Sequence, residues 1–247
     1  MRDVWYTLKL GQYRLRQWVR GIFVYPKQKL SLTELDYDDY WDQKRPQENE
    51  LLLSPMEAER AAIISTYLKR KAVSIGDIGS GPGVVLKAIL TKRPDMTGIA
   101  YDSSLRAREY AKKLGLQAEP LDLRAEDALE TVAPADYYLV LEVLEHVPHS
   151  ELVLARLYEK AGYGIFFSVP NTGFFMHRFR LFFGKVPAQW IHIPNEHLRF
   201  WTIVDMRWWL KALGYQHFHI FPYGGVPVLN KLWPNLFAMG MVVEVLR

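Results

Sequence analysis

The sequence predicts an α/β domain, doubly wound, with a largely parallel sheet covered by helices on both faces. Three observations predict it. From residue 73 onward, short apolar runs alternate with stretches of helical periodicity, the pattern of strand–helix–strand units. One such junction reads Ile75-Gly76-Asp77-Ile78-Gly79-Ser80-Gly81-Pro82-Gly83, a tight turn from a strand into an apolar helix. The chain has 247 residues, 49% of them hydrophobic, enough for the core of one ordinary domain with an extension.

Taken in order, residues 1–30 hold seven Lys or Arg and a single acid, Asp3, with Trp5, Tyr6, Tyr13, Trp18, Phe23 and Tyr25 interleaved. Trp5, Leu8, Leu15, Val19 and Ile22 share one helical face. Such a helix either packs on its own domain or makes a peripheral contact with an anionic membrane surface. Residues 34–42 turn acidic and read as a linker or as a partner for nearby basic groups. The extension is therefore 1–54, and the domain 55–247. A helix over 55–70 opens with Ser54-Pro55 and carries Glu57 in its first turn. Strands are expected at 73–78, 97–101, 117–121, 136–141, 163–169, 216–221 and 240–246. Helices are expected at 83–92, 103–114, 124–130, 149–160 and 203–213. A loop rich in Pro and Gly, 222–235, precedes the last strand.

Composition removes several chemistries. With no cysteine, disulfides, thiolate zinc sites and cysteine nucleophiles are excluded. No apolar run reaches the ~18 residues of a membrane span. Lys9, Arg14, Arg16 and Arg20 interrupt any signal-peptide core, so a cytoplasmic protein is expected. A net charge of +4 does not by itself point to nucleic acid.

The glycine turn points to a ligand. Counting from Gly79, the sixth position is Val84, which fails the dinucleotide pattern, and no Gly-Lys-Ser/Thr of a phosphate loop follows. Asp77 would crowd a pyrophosphate. It suits S-adenosylmethionine (SAM), which carries an ammonium and a sulfonium. In open α/β sheets ligands sit beyond the carboxyl ends of the strands. The second strand ends at Asp102-Ser103, 25 residues after Asp77, where a carboxylate can hold a ribose or cap the next helix. The third ends at Asp122-Leu123, which can meet an adenine. The fourth runs into Glu142-Val-Leu-Glu-His146-Val-Pro148, a corner with two acids and a histidine.

Asp77 to Gly83, Tyr101-Asp102-Ser103 and Glu142 to Pro148 together resemble the class I SAM-dependent methyltransferases over roughly residues 72–221. The last motif, with Ser168-Val-Pro-Asn171 and His197-Leu-Arg-Phe-Trp-Thr202, is similar to the ubiquinone-biosynthesis methyltransferase and methionine-biosynthesis protein W branch. The resemblance implies a Rossmann-like seven-stranded sheet ending in an antiparallel pair. It implies that Asp77, Gly79, Gly81 and Gly83 hold the methionine end of SAM, Asp102 the ribose, and Asp122 with Leu123 the adenine. Glu142 and His146 would line the methyl-donor pocket. Ala100 and Ser80 stand where glycine and cysteine are frequent in the family.

The segment 171–200 is longer than an ordinary connection and is expected to be a lid that selects the acceptor. Its aromatics and basic groups suit an apolar, lipid-like or anionic small molecule, or they form a helical subdomain's own core. His146 is the first candidate base for a hydroxyl or ammonium acceptor, and His177, His192 and Glu196 are the candidates from the lid. No metal is expected: Pro194 breaks any helix aligning His192, Glu196 and His197. Nucleic acid is not expected as acceptor, since no Asn/Asp-Pro-Pro-Tyr/Phe motif occurs. Two functions remain open at this point: methyl transfer to O or N, or a non-catalytic SAM-fold scaffold binding a partner protein.

Overall fold

The computed structural model describes residues 36–44, 53–71, 73–125, 127–187 and 196–247. The basic amphipathic stretch 1–30 lies outside the described residues. Seven strands, β1 (Ser74–Ile78), β2 (Thr97–Asp102), β3 (Gln117–Pro120), β4 (Ala135–Leu141), β5 (Ala161–Pro170), β6 (Phe218–Tyr223) and β7 (Gly240–Leu246), form one sheet. Their order is β3-β2-β1-β4-β5-β7-β6. β1 to β5 pair in parallel, whereas β7 is antiparallel to both β5 and β6.

Alternation along the strands builds two cores, because successive side chains of a strand point to opposite faces. Tyr138, Val140 and Phe167 face one side, with Leu154, Leu157, Trp209 and Leu210 from α5 (Ser150–Lys160) and α7 (Ile203–Ala212). Ile75, Leu139 and Phe166 face the other, with Ile64, Leu86, Ile89 and Ala111 from α2 (Pro55–Tyr67), α3 (Val84–Lys92) and α4 (Leu105–Lys113). The chain leaves β1 toward β2 and β3, then returns to β4 on β1's other side. This reversal opens a crevice at the carboxyl ends of β1 and β4.

Local chemistry sets the helix starts. Ser54 and Glu57 form a reciprocal capping box at α2, and Thr202 and Asp205 form another at α7. Ser104 caps α4 through the Ala107 N–H, so that helix begins later than 103. Three expectations are corrected. Of the two readings of the acidic stretch, the partner of basic groups holds and the linker does not: among the described residues α1 (Tyr37–Lys44) is a helix, held by Asp36, which accepts from the Asp38 N–H. Its Asp42 meets Arg106 at 3.4 Å. The helix expected over 124–130 is one short turn, Ala128–Glu130, because Asp122 ties the backbone N–H and guanidinium of Arg124 into a loop. The loop 222–235 carries two short helices, α8 (Leu229–Leu232) and α9 (Pro234–Phe237), and β6 runs on to Tyr223. Within 171–200, α6 (Phe175–Phe182) is described and 188–195 is not.

Candidate functional site

The crevice is a cavity of about 780 Å³, within the range of small-molecule sites. The turn after β1 forms one wall. Gly79 and Gly81 line it and adopt φ of 66° and 53°, a region that side-chain-bearing residues enter at a cost. A Cβ on Gly79 would lie 2.5 Å from Val143, and one on Gly81 would lie 2.5 Å from the Trp41 ring of α1. Gly83 sits behind the wall, where a Cβ would strike Leu116 at 2.6 Å. Its place is in helix–sheet packing.

Asp77, one residue before the end of β1, lies inside this wall. It is 2% exposed, and its Oδ1 has no hydrogen-bond partner. Burial pushes its carboxyl up to about 8, the Asp102 charge adds to the rise, and Arg60 opposes it. Asp102 lines the same cavity, and both its oxygens are engaged: Oδ2 accepts from Gly81 N–H at 2.7 Å and Oδ1 from Ser104 N–H at 2.9 Å. It thus braces the glycine turn against the start of α4. Ser103, Asp122 and Leu123 also line the cavity. Asp122 is gripped by Arg124, with Nη2 at 2.7 Å, which holds its carboxyl below the usual range.

The corner after β4 forms the opposite wall. Glu142 has φ of 56°, strained for a residue with a side chain. A polar network over-determines it. Its Oε1 accepts from Ser168 Oγ and from Tyr223 Oη, both at 2.8 Å, and Arg60 donates to Tyr223 Oη at 3.0 Å. Tyr223 reaches there from the edge strand because its β7 partner is Gly240, whose absent Cβ would lie 2.5 Å from the ring.

Beyond Glu142, the corner is fastened to 196–199. Glu145 O accepts from Leu198 N–H at 2.8 Å and from Arg199 N–H at 3.1 Å. His146 Nδ1 lies 2.8 Å from Glu196 O. A carbonyl only accepts, so Nδ1 carries a proton there, and His146 lines the cavity. The rings of His146 and His197 meet edge-on at 4.7 Å between centroids. Glu145 is 1% exposed, and neither carboxylate oxygen has a hydrogen-bond partner, though Oε1 lies 3.7 Å from His146 Nε2; burial, then the nearby Glu142, push its carboxyl well above the usual range. Burial and the neighbouring His146 hold the His197 imidazole down at about 4.

His177 is not among the residues lining the cavity. It is packed on α6 beside Phe174, and burial holds its imidazole at about 4. His192 lies outside the described residues.

A family model described as "Methyltransferase domain" matches residues 42–220, well over half of the chain. The chain belongs to this methyltransferase family. Among solved structures, the methyltransferase domain is similar to the plantazolicin methyltransferase BpumL, solved with a triazolic desmethylPZN analog and SAH. That similarity is 16% identity over 85% of this chain and 88% of the other, with a TM-score of 0.57. A chain from the complex of the Haloferax volcanii Trm112 methyltransferase activator aligns at 13% identity over 86% of this chain and 98% of that one, TM-score 0.57. A SAM-dependent methyltransferase from Thermotoga maritima aligns at 14% identity, covering 77% and 88%, TM-score 0.54. No curated protein sequence matched the chain. Among the described residues, no helix is long and apolar enough to cross a membrane.

Several lining residues of the domain were not singled out from sequence. Arg60, Glu145 and Trp41 face the cavity, while Tyr223 is joined to it through Glu142. Glu145 alone had a local signal, its place beside His146 in a strand-end corner.

Proposed function

We propose that the domain binds SAM and transfers its methyl group to an oxygen or nitrogen of a small-molecule or lipid-like acceptor. The observation that carries this reading is Asp77, a buried carboxylate at the cavity wall with an unpartnered oxygen. A buried charge needs a partner, and the donor's ammonium and sulfonium provide positive charge of the right kind. SAM supplies a methyl group already activated on sulfur. The residues here have to hold, orient and shield. Asp77 and the Gly79–Gly81 backbone would hold the methionine end, and Asp102 and Ser103 the sugar. Leu123 would lie against the base. Glu142, fixed by Ser168 and Tyr223, adds negative charge on the β4 side. Alignment of the acceptor then supplies much of the rate gain, on the order of 7–11 kcal/mol.

The acceptor class rests on α6, where Phe179 and Phe182 are exposed in a segment that also carries Arg178 and Lys185. An apolar or anionic acceptor suits the composition of that segment, although none of its described residues from 171 to 187 lines the cavity. Nε2 of His146, whose Nδ1 is held by Glu196 O, would take the proton of a hydroxyl acceptor. Calorimetric titration of SAM and SAH, followed by turnover assays on apolar phenols, acids and amines, tests the reading. Binding by the wild type and its loss in Asp77→Ala are expected. A folded wild type with no affinity for either ligand overturns it.

A further inference from the structure

We propose that the acceptor is an amine, carried into the cavity as an ammonium and received by Glu142 and Glu145 at the corner after β4. This names the acceptor class of the same cavity and rests on the transferase reading.

The first observation is charge. Among the described residues, seven carboxylates line the cavity against two guanidiniums, Arg60 and Arg124, in a chain whose net charge is +4. SAM does not balance this excess. Asp77 would meet its ammonium and Asp102 its sugar, while Asp122 is already gripped by Arg124. Glu57 is engaged in the cap of α2, where it accepts from Ser54 N–H at 2.7 Å. A cleft lined by one sign of charge concentrates ligands of the other sign and repels its own.

The second observation is Glu145. It lines the cavity, is 1% exposed, and has no hydrogen-bond partner on either carboxylate oxygen. A buried carboxylate in this state is costly, and an entering cation relieves it. Beside it, Glu142 is held from one side. Ser168 and Tyr223 donate to its Oε1, and Arg60 stands 3.6 Å from the same atom. Oε2 carries no hydrogen bond among the described residues, so it is the oxygen that can accept from an ammonium N–H, with Glu145 as the charge behind it.

The third observation is aromatic. Tyr37, Tyr40 and Trp41 of α1 line the same cavity, with the rings of Tyr40 and Trp41 edge to face at 5.1 Å. Ring faces attract ammonium groups. Burial, then the charges of Glu196 and Asp102, push the Tyr37 phenol up to about 12, so α1 stands within electrostatic reach of the corner.

An ammonium has no lone pair, so one proton must leave before transfer. His146 Nε2, 3.7 Å from Glu145 Oε1, would take it. The freed nitrogen pair then forms the nitrogen–methyl bond. The sulfur–methyl bond breaks, and its electron pair returns to sulfur, giving SAH. The imidazolium left behind lies beside Glu145, which offsets its charge until the proton passes to water.

The test uses the full chain loaded with SAH. Phenethylamine, phenethyl alcohol and hydrocinnamate, which share a ring and differ in charge, are titrated by calorimetry. The amine should bind at least about tenfold tighter than the alcohol, as a charged contact warrants, and the carboxylate should bind weakest. Added salt should narrow the gap. Glu145→Gln should remove most of the preference, and Glu145→Asp, which keeps the charge, should retain it. Glu142→Gln alters a more exposed side chain, should also narrow the gap, and guards against a fold defect in the first variant. With SAM in place of SAH, mass spectrometry should find the N-methylated amine. No amine binding, an alcohol or carboxylate bound as tightly as the amine, or a preference unchanged in both Gln variants overturns the proposal. SAH binding without amine preference removes only the acceptor class; absence of SAH binding removes the transferase reading with it.

Discussion

Asp77 shows how a single carboxylate ties stability to ligand binding. Its folded-state value of about 8 lies above the unfolded value of 3.8. Its contribution to stability is therefore full below pH 3.8 and is lost as pH rises through about 8. The ligand-free domain should melt at falling temperature from pH 5 to pH 9, and Asp77→Asn should flatten that slope. A slope unchanged in the variant would show that Asp77 does not titrate in this window. Cationic SAM selects the carboxylate, so binding should release a proton at pH 7 and tighten toward pH 8. Calorimetry in buffers of different ionisation enthalpy measures that proton. Asp77→Asn should also cost about 1.5–3 kcal/mol of SAM affinity, the worth of a charged contact. Asp77, Asp102 and the Glu142–His146 corner were legible because they end strands in a fold whose ligands bind there. Arg60 and Tyr223 were not, since they meet Glu142 only after α2 and β6 fold onto the sheet. Tyr223 further depends on Gly240, a residue with no chemistry of its own.

At the scale of elements, the turn after β1 and the capping boxes can be tested separately. Gly79→Ala places a Cβ against Val143 at a φ of 66°, and should destabilise the domain by about 1–3 kcal/mol. Denaturant titration would show it as a lower midpoint, and an unchanged midpoint would mean that the turn relaxes freely. Thr202→Ala removes the cap of α7 and should cost on the order of 1 kcal/mol without altering SAM affinity. The strands and most helices were legible from periodicity, to within a residue or two at most ends. The misreadings differ in cause. In α1, acidic composition suggested a linker, but Trp41 and Tyr37 turn toward the cavity while Asp38 and Asp42 face α4. In 124–130, the helical spacing lost to the Asp122–Arg124 clasp. Side-chain bonds two residues apart compete with a helix wherever no core face rewards it.

For the whole molecule, stability centres on β4 and β5, flanked by both cores. Leu139 is fully buried in β4, and Leu139→Ala should cost about 2–5 kcal/mol, read in urea unfolding. A smaller loss would mean that the two cores repack independently. The seven-stranded sheet with its antiparallel end followed from the family resemblance, and the strand order came from the structure. The union of 142–146 with 196–199 did not, because it is made by backbone bonds between segments with no shared pattern. One contact of this assembly has an optical consequence. Trp41 lies against Gly81 at the cavity wall, so the chain carries an intrinsic fluorophore at its own ligand-binding turn. Occupancy there should change its emission, and the difference between wild type and Trp41→Phe would isolate that signal from the other seven tryptophans of the chain's 8. Ligand arrival could then be timed by stopped flow on unlabelled protein.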